Sequence, residues 1–306
     1  HYEGYEATLA ERIPSPRVTE ALVVLACAVD AADKALLPAC FSALQTDLGV
    51  GPAMLGSLNF CQTLSFSLTL PLWGHAVSHY NPRDVLALGC CLWGFATALL
   101  ATSFNFYVHC FLRLLNGAAL SAVMPIAQTI LCEIVPETRR GAAFGRLQAC
   151  SSLACMCSMS YAVSLQGSIF TPFGAWMPLH GWQLVHLQVA LGSILLGVIL
   201  QRLMPHIDFE SSTDSAPNLF ATIRTILRIP SFGLLVFQGV SGGVPGSAFS
   251  FLTMYWQLRG FSNLQAGMLS GMQGLGATLG SLMGGILGDY AAIRDPSRGR
   301  SLVALT

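Results

Sequence analysis

Eight apolar segments, each about as long as a bilayer-spanning helix, run through most of this chain and leave it few ways to fold. A helix that crosses a bilayer needs about 20 mostly apolar residues. The segments cover approximately residues 18–44, 52–79, 84–102, 106–133, 141–166, 181–203, 230–258 and 262–291, and a ninth begins near residue 301. A chain in lipid must satisfy its backbone hydrogen bonds internally. The pattern therefore predicts an all-α, polytopic membrane protein.

The composition supports the same class and argues against several functions. Only 10% of the 306 residues are charged, against about 25% in soluble domains. The net charge of zero gives no reason to expect a nucleic-acid partner. The ten cysteines lie mostly in apolar runs without metal-ligand spacing, which predicts packing residues, no metal site and no cofactor. No Ser-His-Asp pattern or His cluster is visible, so we do not expect an enzyme.

The basic residues predict the orientation in the membrane. If the segments alternate in direction, twelve of the 15 Lys and Arg residues fall on the side of the N-terminus. Arg259 falls on the other side, and Lys34 and Arg113 fall inside segments. Short cytoplasmic loops collect positive charge. The distribution predicts a multi-pass protein with a cytoplasmic N-terminus and leaves the identity of the membrane open.

Three charged residues lie in the middle of the first segment, namely Asp30, Asp33 and Lys34. A charge at the bilayer midplane costs roughly 2.5–3.5 kcal/mol, so it needs a partner or a water-filled cavity. One interpretation is a self-neutralising group kept for packing or topology. The other is a titratable site that faces a central cavity, where it loads and releases a proton or holds a charged headgroup of the substrate.

Arg113 is the fourth charge within a span. One interpretation places it near the outer third of its segment, where a long side chain reaches toward the interface. The other places it in the cavity near the first helix. There it binds an anionic group of the substrate or completes a network with Asp30 or Asp33.

An internal repeat divides the chain. Gly74 to Tyr80 closes the second segment and Gly285 to Tyr290 closes the eighth, and the two starts are 211 residues apart. Each stretch is followed by an arginine, Arg83 or Arg294. Six spans, a polar linker and a restart of the pattern are typical of transporters built from parallel repeats.

Several stretches resemble the major facilitator superfamily. Gly285-Ile286-Leu287-Gly288-Asp289 is similar to its loop motif, Arg113 to Gly117 to the R-x-x-x-G of its fourth helix, and Pro136 to Gly141 to the P-E-x-x-R-G turn that follows. Gly181-Trp182-Gln183 resembles the opening of its sixth helix. Asp33-Lys34-Ala35-Leu36-Leu37-Pro38 resembles the spinster-related branch, in particular its plant- and protist-type members.

The resemblance implies a major facilitator fold and roles for many residues. Asp30, Asp33, Lys34 and Arg113 would bind substrate or couple protons. Gating and loop roles would fall to Gly74, Arg83, Glu137, Arg139, Arg140, Gly285, Gly288, Asp289 and Arg294. Two departures matter: Ser78 replaces the loop Asp of the first half, and Leu120 stands where spinster proteins carry a Glu.

Glycines and a proline crowd the seventh segment. Freed backbone in a span is tolerated only where it lines a cavity or is packed in protein. We interpret the run from Gly239 to Gly246 as an interruption of the helix and predict a gating hinge at Gly242, Gly243, Pro245 and Gly246. The alternative is a close-packing surface.

These observations give a domain plan and a function to test. We expect a cytoplasmic tail at 1–17, a six-helix half at 18–204, a linker at 205–229 and an incomplete second half at 230–306. The expected function is secondary transport of a small or amphipathic solute, with a lysolipid-like substrate and proton coupling as further expectations. The alternative is a receptor or scaffold that does not transport. The expected partners are the substrate and the bilayer, and the expected state is a monomer.

Overall fold

The computed structural model describes residues 16–171, 178–206, 224–295, 298–299 and 302–303. Most of the predicted tail, linker and ninth segment lies outside these described residues. The helices are α1 (Pro16–Ala39), α2 (Phe41–Leu48), α3 (Pro52–Val77), α4 (Pro82–Leu100), α5 (Phe106–Leu120), α6 (Val123–Ile134), α7 (Arg140–Leu165), α8 (Gly181–Leu203), α9 (Pro230–Ala248), α10 (Leu252–Leu258) and α11 (Asn263–Arg294). Two 3₁₀ turns cover Glu137–Arg139 and Phe249–Phe251, and strands β1 (Ile169–Phe170) and β2 (Leu179–His180) pair antiparallel.

All eight predicted segments are helical, which confirms the predicted all-α class. Four helical stretches of the described chain are long and apolar enough to cross a membrane: Pro82–Leu100, Phe106–Ile134, Gly181–Leu203 and Pro230–Leu258. Many large apolar side chains point outward, among them Phe95 at 61% exposed and Leu68 at 68%. A soluble monomer rarely exposes contiguous apolar surface of this kind. The outer surface is therefore suited to lipid.

Local sequence signals set several helix ends. Pro82 and Pro52 occupy the first turns of α4 and α3, where the missing amide proton costs nothing. The Asn81 side chain accepts a hydrogen bond from the Arg83 amide. Ser262 and Gln265 form a reciprocal capping box at the start of α11. These signals lie at the polar boundaries of the apolar segments, so the helices begin where the sequence becomes apolar.

The fourth span is broken into α5 and α6 at Ser121 and Ala122. Pro125 lacks an amide proton, so the carbonyl of Ser121 cannot receive the usual helical hydrogen bond from it. The hydroxyl of Ser121 instead donates to the Ala118 carbonyl and bonds the Thr69 hydroxyl of α3. Ser121, which lies at the break, therefore links the fourth span to α3 through its hydrogen bond with Thr69.

The helices pack as a bundle around α1 and α7. Helix α1 contacts α6, α7 and α8, while α4 contacts α5 and α8, and α3 contacts α5. Helix α7 packs along α11, which belongs to the second part of the repeat. Two ends of the bundle are named here by one residue each. The Asp47 end holds α2, the β1–β2 hairpin and the start of α11, and the Asp289 end holds the start of α7 and the end of α11.

The predicted interruption of the seventh span is in the wrong place. Helix α9 runs without a break from Pro230 to Ala248, through Gly242, Gly243, Pro245 and Gly246. Glycine lowers helix propensity by about 1 kcal/mol but can adopt helical dihedral angles. A helix also keeps backbone hydrogen bonds satisfied in lipid. The discontinuity follows at the 3₁₀ turn Phe249–Phe251, and the hinge role of the four residues stays a prediction.

Candidate functional site

Asp33 lies inside the bundle and is held by two neutral donors. The side chain is only 1% exposed. The Thr97 hydroxyl of α4 donates to Asp33 Oδ1 at 2.8 Å, and Asn116 Nδ2 of α5 lies 3.4 Å from Asp33 Oδ2. Asn116 Nδ2 also donates to Thr97 Oγ1 at 2.8 Å. The carboxyl group of Asp33 on α1 thus bonds two neighbouring helices, and no cationic side chain of the described residues lies in direct contact with it.

Helix α3 completes this network through a glycine. Gln62 Nε2 donates to Asn116 Oδ1 at 2.7 Å, which leaves both ends of the Asn116 amide bonded. A Cβ atom on Gly117 would lie only 3.0 Å from the carbonyl carbon of Gln62 and would overlap its oxygen. Only glycine lets α3 and α5 approach this closely. Gly117 of the R-x-x-x-G motif therefore positions the amides that hold Asp33.

Arg113 is buried in the same bundle, one helical turn from Asn116, and it does not reach toward an interface. It is 1% exposed. Its Nη2 lies 3.3 Å from His186 Nε2 of α8, and His186 Nδ1 lies 2.7 Å from the Trp182 carbonyl. A guanidinium can only donate and a carbonyl can only accept. His186 therefore carries its proton on Nδ1 and accepts from Arg113 through Nε2.

The charge of Arg113 has no direct anionic partner in the described part of the chain. No carboxylate oxygen lies within 4.0 Å of its guanidinium there, although Asp33 attracts it electrostatically from farther away. Among the described residues, Arg113 Nε and His109 Nδ1 are buried without a hydrogen-bond partner. A buried charge of this kind is costly in a membrane protein, which makes Arg113 a candidate functional residue.

Asp30 and Lys34 form a separate pair on α1. Lys34 Nζ lies 2.7 Å from Asp30 Oδ2 and 4.6 Å from the centre of the Phe66 ring. The Asp30 side chain is 4% exposed and that of Lys34 is 36% exposed. The predicted trio therefore divides. Asp33 belongs to the α4–α5 network, whereas Asp30 is paired within its own helix by a lysine that reaches the surface.

Sequence reasoning missed most of the neutral partners in this site. Gln62, Thr97, His109, Asn116 and His186 are all buried polar residues of the spans. One signal was available for two of them. His109, Arg113 and Asn116 are spaced by four and three residues, which places them on one face of a helix. Thr97 and Gln62 carry no comparable spacing.

Asp289 joins α11 to α7 at the Asp289 end. Its Oδ1 accepts from the Gly141 amide at 3.0 Å and its Oδ2 from the Ala142 amide at 2.7 Å. These are free amides of the first turn of α7, whose own N-cap Arg139 makes no side-chain cap bond. A carboxylate there is favoured by the helix dipole. Asp289 therefore caps a helix of the first half from the second half.

Glycines allow this contact. A Cβ on Gly285 would lie 3.1 Å from the Gly145 Cα, and one on Gly145 would lie 2.7 Å from the Ser281 carbonyl oxygen. Gly141 is equally crowded by Asp289. The loop motif at 285–289 thus combines a close backbone approach with a charged cap.

The family assignment follows from a comparison with known proteins. The family model described as Major Facilitator Superfamily matches residues 22–305. The chain belongs to the major facilitator superfamily. It is an integral multi-pass membrane protein of that fold, and its relatives are transporters.

Curated proteins that are named as transporters align with part of the chain. A probable chloroplastic anion transporter of Oryza sativa subsp. japonica is 27% identical over 173 residues, which are 55% of this chain and 33% of that protein. The 4-hydroxybenzoate transporter PcaK of Pseudomonas aeruginosa is 27% identical over 177 residues, which are 58% and 37%. The matched part therefore spans about a third of the length of these relatives.

Solved structures of transporters share the fold. A bacterial homolog of the human lysosomal transporter Spinster, inward-facing and occupied, gives a TM-score of 0.72 at 16% identity, covering 93% of this chain and 63% of that one. A D-xylose-proton symporter gives 0.59 at 14% identity, covering 94% and 77%. These likenesses concern the fold, and membership in a plant- or protist-type branch stays a prediction.

The other predicted gating residues of the superfamily motifs have varied surroundings. Arg140 donates to the Cys132 carbonyl at 2.7 Å and to the Val135 carbonyl at 3.3 Å, so it caps the end of α6. Arg83 Nε lies 2.9 Å from Asp84 Oδ1. Arg294 stacks over Tyr290 of its own helix, 4.9 Å from the ring centre. Arg140 thus bonds the end of another helix, while the contacts of Arg83 and Arg294 within the described residues are with near neighbours in the sequence.

The two loop motifs differ in their packing. A Cβ on Gly74 or Gly288 would meet no described atom within 4 Å, in contrast to Gly285. Among the described residues, the hydroxyl of Ser78, which replaces the acidic residue of the first motif, bonds within its own turn, to His75 and His79. Glu137 and Arg139 lie exposed in the 3₁₀ turn beside α7. The second motif therefore contacts a neighbouring helix, α7, through Asp289 and Gly285. In the first motif, no described atom packs closely against Gly74.

Proposed function

We propose that this protein is a secondary transporter that moves a small or amphipathic solute across a membrane by alternating access. In this proposal residues 18–204 form the first six-helix half, residues 205–229 the linker and residues 230–306 the start of the second half. The Asp289 end faces the cytoplasm, as the distribution of basic residues favours. The transporter names of the aligned relatives support the proposal.

One observation carries the proposal, namely that Asp33 and Arg113 are buried in the same bundle without touching each other. A structural ion pair would bring the two groups into contact, because only close geometry offsets the cost of desolvation. Here each group is held by neutral partners instead. Each is thus free to gain an opposite charge from a ligand, Asp33 a proton or other cation and Arg113 an anionic group.

This separation supports a division of roles. Asp33 binds the coupling ion, and its Thr97 and Asn116 donors adjust as the charge on the carboxyl group changes. Arg113 attracts the anionic group of the substrate through its unpartnered Nε. The Asp30–Lys34 pair is already neutral, with Asp30 buried and Lys34 reaching the surface, so it serves as a secondary binding group. A small organic anion and a zwitterionic lysolipid both satisfy these requirements.

A second candidate function is a receptor or scaffold that retains the transporter fold without transport. Ser78 favours it, because the first loop motif lacks the acid with which the second caps a neighbouring helix. The two candidates differ in one respect that can be measured, since only a transporter moves solute against its gradient.

An uptake assay tests the proposed function. The full-length protein is reconstituted in liposomes, and radiolabelled 4-hydroxybenzoate, inorganic phosphate and a lysophosphatidylcholine are each supplied with and without a pH gradient. We expect accumulation of at least one solute above protein-free liposomes. Equilibration without accumulation for every probe, under gradients of either direction, contradicts secondary active transport of these classes.

A further inference from the structure

A cavity lies at the Asp47 end, and its lining includes none of the residues that surround Asp33 and Arg113. Its volume is about 310 Å³, and most of its lining residues are polar, including Ser42, Thr46, Asp47, Gln166, His180 and Asn263. The first five belong to α2 and to the segment between α7 and α8, and Asn263 begins α11. The cavity therefore spans the first and second halves of the repeat. None of these residues has a role in the proposed transport site.

Asp47 supplies the negative charge of this cavity. Its Oδ2 accepts from Trp182 Nε1 at 2.6 Å and lies 2.8 Å from His180 Nδ1. Both contacts use Oδ2, and neither uses Oδ1. The Asp47 side chain is 16% exposed, so solvent reaches it. Trp182 and His180 thus fix the orientation of the carboxylate while Oδ1 keeps capacity to accept.

Gln166 supplies a second acceptor. It is 7% exposed, and its Oε1 is buried without a hydrogen-bond partner in the described part of the chain. Its Nε2 approaches Asn263 Oδ1 at 3.4 Å, and Gln257 Nε2 approaches the same oxygen at 3.1 Å. A buried acceptor without a donor costs about 1–3 kcal/mol. A ligand that donates to Gln166 Oε1 would recover part of that cost once the side-chain amide turns this oxygen toward the cavity.

We propose that this cavity binds the primary ammonium group of a small organic cation. An ammonium group carries a positive charge that balances the carboxylate of Asp47. It also has three N–H donors for the acceptor oxygens of Asp47 and Gln166. The volume lies at the lower limit of small-molecule sites, which begin at about 300 Å³, so an organic molecule suits it better than a bare ion. The lining residues of the cavity take no part in the Asp33 network, so the proposed binding does not require transport, although Trp182 contacts both Asp47 and His186.

The choice of ammonium over other donors rests on charge and on hydrogen bonding together. A neutral polyol donates but leaves the carboxylate uncompensated. A quaternary ammonium compensates the charge but has no N–H group for Gln166. A primary ammonium fulfils both conditions, so three probes of similar size separate the contributions.

Calorimetry on the full-length protein in lipid nanodiscs tests the proposal with ethylammonium, tetramethylammonium and glycerol as probes. We expect saturable binding of ethylammonium and at least about tenfold weaker binding of the other two. Gln166→Met removes the acceptor at similar size, and Asp47→Asn removes the charge; each is expected to weaken ethylammonium binding at least about tenfold. Gln188→Met on the exposed face of α8 is the control and is expected to leave binding unchanged.

Two results would overturn the proposal. The first is the absence of saturable binding heat with ethylammonium, which would show that the cavity holds water and no ammonium ligand. The second is equal binding by wild type and Gln166→Met, which would place the ligand elsewhere. The Gln166 variant decides the matter even if Asp47→Asn disturbs Trp182 and fails to fold. Uptake measured on the same preparation is independent of either result.

Discussion

An Asp33→Asn variant is expected to lose gradient-driven uptake by at least about tenfold while it folds like the wild type. Asparagine has the same size, and its Oδ1 can still accept from Thr97. The change removes the charge that we propose binds a coupling ion, and it places an amide nitrogen against Asn116 Nδ2. A tenfold loss corresponds to about 1.4 kcal/mol of transition-state free energy. The measurement is initial uptake in liposomes at equal protein content.

Asp84→Asn provides the matched control. Asp84 lies on α4 with a side chain that is 44% exposed, and it pairs with Arg83 at the protein surface. Exposed ion pairs contribute little to stability, about 0–1 kcal/mol. We expect uptake within about twofold of the wild type for this variant. Full gradient-driven uptake by Asp33→Asn would show that the coupling ion does not bind at Asp33.

A Gly117→Ala variant is expected to destabilise the protein by about 1–3 kcal/mol, the usual range for overpacking a core. The added methyl group would overlap the carbonyl group of Gln62, which is main chain and cannot rotate away. Helices α3 and α5 would have to separate, which lengthens the bond from Gln62 to Asn116 and loosens the donors to Asp33. The measurement is the thermal unfolding midpoint in detergent, together with uptake.

Gly192→Ala is the control for this variant. Gly192 lies within α8, and a Cβ there would meet nothing within 4 Å in the described structure. Alanine is the better helix former by about 1 kcal/mol. We expect an unchanged or slightly higher midpoint for Gly192→Ala. Equal midpoints for Gly117→Ala and the wild type would show that the close approach of α3 and α5 is not required.

The fold could largely be predicted from the sequence, because a bilayer restricts the backbone structures that can cross it. Length and apolarity locate each span, and the loop motif at Gly285 indicates the superfamily, which the family match confirms. Helix breaks were harder to predict. The glycines of α9 suggested an interruption, yet the backbone stays helical through them and changes to a 3₁₀ turn only at Phe249.

The site was only partly predictable for a different reason. Charges such as Asp33 and Arg113 are conspicuous in an apolar segment, but their neutral partners are not. Thr97 and Gln62 reach Asp33 and Asn116 from other helices, so their contacts depend on how the helices pack rather than on spacing along the chain. Likewise, the sequence did not predict that Asp289 caps α7, because this contact depends on the packing of α7 beside α11.

Alternating access is the central claim, and distances across the two ends of the bundle test it most directly. Spin labels are introduced as a genetically encoded amino acid, because the chain has ten native cysteines. One pair at exposed Thr138 and Ile293 reports on the Asp289 end, and one at exposed Thr46 and Leu264 reports on the Asp47 end. Electron–electron resonance then gives both distance distributions for the full-length protein in nanodiscs.

Asp289→Ala sharpens this measurement, because it removes the cap that α11 places on α7. Loss of an N-cap costs about 0.5–2 kcal/mol, so we expect the variant to shift the population toward an open Asp289 end and a closed Asp47 end. The account predicts that the two distances change in opposite directions in each of three experiments. These are a change of pH, the addition of a transported solute, and the Asp289→Ala substitution. Distances that stay fixed at both ends under all of these conditions would contradict it.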